Sequence, residues 1–223
     1  MAADGYLANK WVAEMMVKDA IARGASARVY RLGRIWAESE RGAINPDDMF
    51  CRLLVSCAAL GCHPEGTALQ ADLLPADVAA RALVALALAG GGPDSAAVHH
   101  LHHPRKTGAD AFLKVFDEWR GTRSEPVGLG TWLRRLRQAS EAGRDLPFLP
   151  YLDVFQQHVE QVEQVEQREN ASDASDAADL PSDTYRNDRT LRALERLGVV
   201  MPEVDERMIR DFWQHLEATG ELG

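Results

Sequence analysis

Tyr6 and Lys10 stand four residues apart near the start of the chain. On a helix that spacing sets a phenol and an ammonium on one face, one turn from each other. A neighbouring cation favours phenolate over phenol. A tyrosine whose ordinary pKa is about 10 thereby becomes a proton donor and acceptor near neutrality. Carbonyl reduction calls for such a group, because hydride arriving at carbon leaves an oxyanion that must be protonated. The same spacing also arises by chance, and the pair is then an ordinary, partly exposed helix face.

The elements around the pair must hold it in place. Residues 6–22 read as a helix, with Leu7, Ala8, Trp11, Val12, Met15 and Met16 recurring at helical spacing as its buried stripe. Tyr6 and Lys10 flank that stripe, and Gly24 ends the helix. Residues 27–32 read as a strand and residues 34–46 as a polar loop. Asn45-Pro46-Asp47-Asp48 predicts a helix start, with a capping side chain, proline at the first helical position and acids in the first turn. That helix runs to about Leu60. A short extended piece (67–72), an apolar helix (75–89) and a strand (96–102) follow. A strand, helix, strand rhythm of this kind suits βαβ units and a parallel sheet.

From residue 107 onward the pattern is helical, over 108–119, 130–142, 149–168, 188–197 and 205–218. Val159-Glu-Gln is repeated through Gln167 and leads into an acidic, Ala/Ser-rich stretch. That stretch buries too little apolar area to order itself, so a mobile acidic insertion is expected at 168–182. The expected division is therefore residues 1–106 and residues 107–223.

Bulk properties narrow the function classes. The chain has 223 residues, of which 46% are hydrophobic, enough to bury a core. A net charge of −9 opposes general nucleic-acid binding, which leaves a basic footprint. No apolar run has membrane-spanning length; residues 79–89, the richest, are too few and include Arg81. Cys51, Cys57 and Cys62 are an odd set in a chain too long to need disulfide staples, which suits a reducing cytoplasm.

Gly5-Tyr6-x-x-Asn9-Lys10-Trp11-x-x-Glu14, then a helix, a strand and Arg31-Leu32-Gly33-Arg34-Ile35, resembles the extended short-chain dehydrogenase/reductases. Within them it is most similar to the terminal thioester reductase domains of nonribosomal peptide and polyketide synthases and to the related part of carboxylic acid reductases. Leu74-Pro75-Ala76-Asp77-Val78, His99 to Pro104 and the run from Asp188 to Gly220 extend the resemblance, which spans Gly5 to Gly220 apart from the acidic insertion. The loop to Asp48 resembles the family's stretch over the substrate.

The resemblance implies an α/β fold: the C-terminal part of a Rossmann-like parallel sheet, followed by a mostly helical substrate domain. It implies Tyr6 as general acid. Lys10 would hold the nicotinamide ribose hydroxyls and lower the phenol's pKa. Leu32, Gly33, Arg34 and Ile35 would form a turn whose backbone faces the nicotinamide amide, with Leu32 in place of the family's proline. NADPH is the implied cofactor, and a carrier protein with a phosphopantetheine arm the implied partner. The implied reaction releases a carrier-bound acyl or peptidyl thioester as an aldehyde or alcohol. Complete members open with a strand, a Gly-x-x-Gly-x-x-Gly turn and a helix that cradles the cofactor pyrophosphate. No such motif occurs in this sequence. The chain therefore resembles the C-terminal half of such an enzyme, expected to need the missing N-terminal Rossmann half and to be inactive alone. Two alternatives stay open: a non-catalytic docking module or truncated remnant, and another extended reductase such as a sugar-nucleotide epimerase or ketoreductase.

The remaining motifs read more plainly. Alternation along a strand points only two imidazoles of His99-His100-Leu101-His102-His103 the same way, and the cysteines lack a Cys-x-x-Cys pair, so no metal is expected. Glu14, one turn past Lys10, reads either as its ion-pair partner or as a structural surface carboxylate. Asp77 reads as structural. Arg134, Arg135 and Arg137 beside Trp132 form a basic patch, either a solvated face or a landing site for an acidic carrier.

Overall fold

The computed structural model describes residues 2–65, 70–89, 98–153, 155–156 and 187–222; the side chains of residues 2–4, 6 and 7 lie outside the description. The Val-Glu-Gln repeats and the acidic insertion expected at 168–182 also lie outside the described residues. In chain order the elements are α1 (Ala2–Ala22), β1 (Val29–Leu32), β2 (Arg34–Trp36), α2 (Met49–Leu60), β3 (Cys62–Pro64), β4 (Gln70–Ala71), β5 (Leu73–Pro75) and α3 (Ala76–Leu88). Then come β6 (Val98–Leu101), β7 (Thr107–Gly108), α4 (Ala109–Arg120), β8 (Glu125–Val127), α5 (Leu129–Glu141), a 3-10 turn (Leu149–Tyr151), α6 (Asp188–Arg196) and α7 (Glu206–Ala218).

The fold is α/β, with short, mostly parallel strand pairs. β1 pairs with β6 in parallel, Val29 opposite Val98 through Leu32 opposite Leu101. β2 pairs with β5 and β3 with β8, both parallel; β4 and β7 are antiparallel. The main core gathers β2, α2, α4, α5 and α7 around Trp36, Phe50, Phe112, Trp132, Phe212 and Trp213. A second cluster packs Leu74, Val78, Ala82 and Leu86 against Leu101 and against Ala193 and Leu194 of α6.

Three expectations need correction. Residues 34–36 are strand rather than loop, because β5 supplies backbone partners that local pattern does not announce. The helix at 45–48 begins later than expected. Asp48 is its cap, its Oδ1 accepting the Phe50 and Cys51 amides at 2.9 and 3.1 Å, while Asn45 closes a local turn on the Asp47 amide. The apolar stripe of α1 is not buried: Trp11 is 66% and Met16 68% exposed, with Val12 and Met15 also exposed. A helix buries its apolar face only where another layer covers it. On another side of α1, Glu14 accepts from Arg31 of β1 at 2.5 and 2.9 Å, and Val17 and Ile21 are partly buried.

These fastenings can be tested one at a time. Gly42 has φ +68°, and a Cβ there would overlap the backbone of Asp211 and Phe212 in α7. Gly42→Ala should therefore destabilise the protein by about 2–4 kcal/mol, read as a lower urea midpoint, from the left-handed backbone and the clash together. A second test concerns Glu14, which side-chain hydrogen bonds from Arg31 and Lys18 hold down at a pKa of about 2. A depressed carboxyl pKa means that the attachment is in place above about pH 4.5 and is lost as pH falls toward 2. Glu14→Gln should speed amide exchange in α1 about two- to fivefold at neutral pH, the range of a partly exposed ion pair, and leave α4 and α7 unchanged.

Candidate active site

Tyr6 and Lys10 lie within one unbroken helix, so their Cα atoms are a single turn apart. The Tyr6 side chain lies outside the described residues; Lys10 is exposed. Helix α1 meets β1 through Glu14, which pairs with Arg31 and, at 2.7 Å, with Lys18. This contact lies one turn past Lys10 and two residues before Gly33.

Leu32, Gly33, Arg34 and Ile35 form the junction between β1 and β2. The Gly33 N–H donates to Leu101 O at 2.7 Å, so β6 holds the junction from one side. Leu32 and Ile35 are 43% and 38% exposed. Beneath Gly33 the Asp72 carboxylate occupies the space next to Cα. A Cβ would overlap the Asp72 carboxylate, and His102 Cα would lie 3.3 Å away. Asp72 Oδ2 is 3.2 Å from His102 Nδ1, and Asn187 Nδ2 donates to His102 O at 2.9 Å. A side chain at position 33 would therefore require the Asp72 carboxylate to turn aside and His102 to give by a few tenths of an ångström.

Arg34 leads away from the junction to the loop at 37–48. Its guanidinium lies 3.5 Å from Asp48 Oδ2, the cap of α2, and sits over the Phe50 ring at 5.9 Å. The loop is tied down along its length. Asp77, in the first turn of α3, accepts from the Ser39 amide and hydroxyl at 2.9 and 2.8 Å. Burial pushes the Asp77 carboxyl up, but the two Ser39 bonds and Arg81 hold it below the ordinary carboxylate value. Arg207 of α7 donates to Ser39 O at 3.2 Å.

The histidine run divides as strand alternation requires. His99 is buried and stacked on Tyr30 at 5.4 Å, whereas His100 and His102 stack on each other at 5.6 Å. Burial, then the charges of Arg28 and Arg189, lowers the His99 pKa; burial, then Arg31 and His102, lowers that of His100. His103 bridges Pro202 O and the Arg105 backbone. Among the described residues no group of His, Cys, Asp or Glu is placed to hold a metal ion. Two arginines of the basic patch on α5 have carboxylate partners, Arg135 with Glu125 at 2.6 Å and Arg137 with Asp153 at 3.7 Å, while Arg134 donates to the neutral Thr131 hydroxyl.

Sequence reasoning missed Asp72, His102 and Asn187 as supports of the Gly33 junction. Asp72 comes level with Gly33 because β2 pairs with β5 in parallel, Arg34 opposite Leu73, a register that the sequence does not show. Asn187 carries no local signal, since it reaches His102 across 85 positions.

The NAD_binding_4 family model, described as "Male sterility protein", matches residues 1–83. A nonribosomal peptide synthetase of Aspergillus hancockii is 29% identical over 95% of this chain, which spans 20% of that protein. A linear gramicidin synthase of Brevibacillus parabrevis is 26% identical over 98% of this chain, which spans 4% of it. The crystal structure of the terminal R domain from the myxalamid polyketide/nonribosomal peptide pathway superposes with a TM-score of 0.73 at 28% identity, covering 95% of this chain and 48% of that domain. No helix among the described residues is long and apolar enough to cross a membrane. Along nearly its whole length this chain resembles the terminal reductase domains of nonribosomal peptide and polyketide synthases, Rossmann-like members of the extended short-chain dehydrogenase/reductases, and it spans about half of such a domain.

Proposed function

We propose that this chain is the C-terminal half of an NADPH-dependent thioester reductase that releases a carrier-bound acyl or peptidyl group as an aldehyde, or onward as an alcohol. The likeness to a terminal R domain over 95% of the chain carries this reading. Its nicotinamide end fits the residues present: Gly33 has no side chain, Leu32 and Ile35 stand open beside it, and the Lys10 side chain is exposed on α1. Among the described residues nothing forms a glycine-rich phosphate cradle. That part would come from an N-terminal Rossmann half, and the exposed apolar face of α1 supports a covering layer there. The division into a Rossmann-like part to residue 106 and a helical substrate part beyond it belongs to the same proposal, as do a cytoplasmic setting and an acyl or peptidyl carrier protein with a phosphopantetheine arm as partner.

In this reading a bound reduced nicotinamide supplies hydride to the thioester carbonyl carbon. The backbone from Leu32 to Ile35 would orient the nicotinamide amide, and Lys10 would hold the ribose hydroxyls. Tyr6, its phenol made more acidic by Lys10 one turn away, would give its proton to the carbonyl oxygen. The resulting hemithioacetal would then break its C–S bond, releasing the pantetheine thiol and the aldehyde.

The test reassembles the chain with a glycine-rich N-terminal half of a terminal reductase domain and supplies an acyl-pantetheine thioester with NADPH. NADPH should be consumed as aldehyde forms, whereas this chain alone should show no NADPH heat in calorimetry. Tyr6→Phe should lower kcat by about 10²–10⁴, the range for loss of a general acid. Lys10→Met should raise the NADPH KM as well as lower kcat. Unchanged turnover in Tyr6→Phe would end the reading.

A further inference from the structure

The Gly33 junction is closed by a ring of contacts to which the reaction steps above give no part. The Gly33 N–H donates to Leu101 O at 2.7 Å, the chain runs on to His102, and His102 Nδ1 lies 3.2 Å from Asp72 Oδ2. That same oxygen lies against the Cα of Gly33 and completes the ring. A carboxylate only accepts hydrogen bonds, so the proton between the two belongs to the imidazole Nδ1.

Each member of the ring steadies a neighbour that is soft. Glycine keeps more backbone freedom than any other residue, and one amide bond to Leu101 leaves rotation about its Cα open. The Asp72 carboxylate limits that rotation, but its side chain is 31% exposed and could turn toward solvent. His102 holds it in place. The imidazole is only 12% exposed, and Asn187 anchors its backbone at His102 O. The ring also reaches α1. His102 stacks on His100 at 5.6 Å, His100 Nε2 lies 3.4 Å from Arg31 Nη1, and Arg31 grips Glu14, one turn past Lys10. The turn that would face the nicotinamide amide and the helix whose Lys10 would hold the adjoining ribose thus rest on one layer of side chains. A nicotinamide riboside would touch both, so its binding depends on how they are placed relative to each other.

We infer that Asp72 and His102 are positioning residues for the nicotinamide end of the cofactor, the pair holding the Gly33 backbone in the form that receives it. The inference rests on the reductase reading for the identity of that cofactor. Two measurements test it. In the full chain, hydrogen exchange at the Gly33 amide should quicken at least about fivefold in Asp72→Ala and in His102→Leu. It should stay within about twofold of the parent in His102→Asn, whose side-chain amide keeps a donor near the place of Nδ1. In the chain reassembled with a glycine-rich N-terminal half, calorimetry should show NADPH bound at least about fivefold more weakly by the first two variants and normally by His102→Asn. Asp72→Ala and His102→Leu combined should be no worse than either alone, since each breaks the same contact. Unchanged exchange at Gly33, unchanged NADPH affinity, losses that add in the double variant, or His102→Asn as weak as His102→Leu would each overturn the inference. So would exchange that quickens across α4 and α7 as much as at Gly33, the pattern of a merely structural loss. Thioester turnover reports separately on the reaction. NADPH binding that responds to these variants without turnover sinks the reaction, and turnover with NADPH affinity indifferent to them sinks the pair alone.

Discussion

Trp36 joins the strand that carries the candidate site to the helical core. It ends β2, is 2% exposed, and its ring meets Phe212 at 4.7 Å, Phe112 at 4.9 Å and Phe50 at 5.7 Å. Those partners belong to α7, α4 and α2, so one side chain holds three helices to one strand. Burying an aromatic of this size is worth about 4–6 kcal/mol before entropic costs. An exposed ion pair such as Glu14–Arg31 is worth about 1 kcal/mol at most. Apolar packing therefore decides where β2 sits, and Ile35, Arg34 and Gly33, the three residues before Trp36, inherit that position.

The polar contacts have a different task, which is to fix direction. Asp77, Arg207 and the Gly42 approach hold a loop with little apolar area of its own, and Arg34 links the junction to the cap of α2. None of these would create the core. Together they remove the freedom a loop of this length would otherwise keep. The layer beneath Gly33 is made in the same way: the Asp72 carboxylate lies against Gly33 and bonds to His102, and Asn187 holds His102 from the far end of the sequence.

Much of this was legible from residues alone, and the failures share a physical cause. The helices from residue 76 onward follow from periodicity and caps, since each buries a stripe against the main or the second cluster. The parallel pairing of β1 with β6 follows from the strand, helix, strand rhythm. Three-residue strands such as β2, β3 and β8 are too short to show a period, and distant partners make them. The cap of α2 was misplaced because Asn45 and Asp48 both suit a cap, and only packing decides between them. Tyr6 and Lys10 stood out because one helical turn is written directly in sequence spacing. The support under Gly33 did not, because it is assembled through contacts that reach across as many as 85 positions of the chain.

Helix α1 ran against prediction for a related reason. A stripe of Trp11, Val12, Met15 and Met16 states that the helix is made to be covered, but not by what. Within the described residues another edge of the helix meets β1 through the Glu14–Arg31 ion pair, with Val17 and Ile21 partly buried. Charge at a surface sets orientation weakly, whereas a packed apolar face sets it firmly. A phenol and ammonium on this helix would thus take their final position relative to the Gly33 junction only once the apolar face is covered. In a reductase assembled from two halves, the layer that cradles the cofactor phosphates would also fix the proton donor, so the same packing event would complete both.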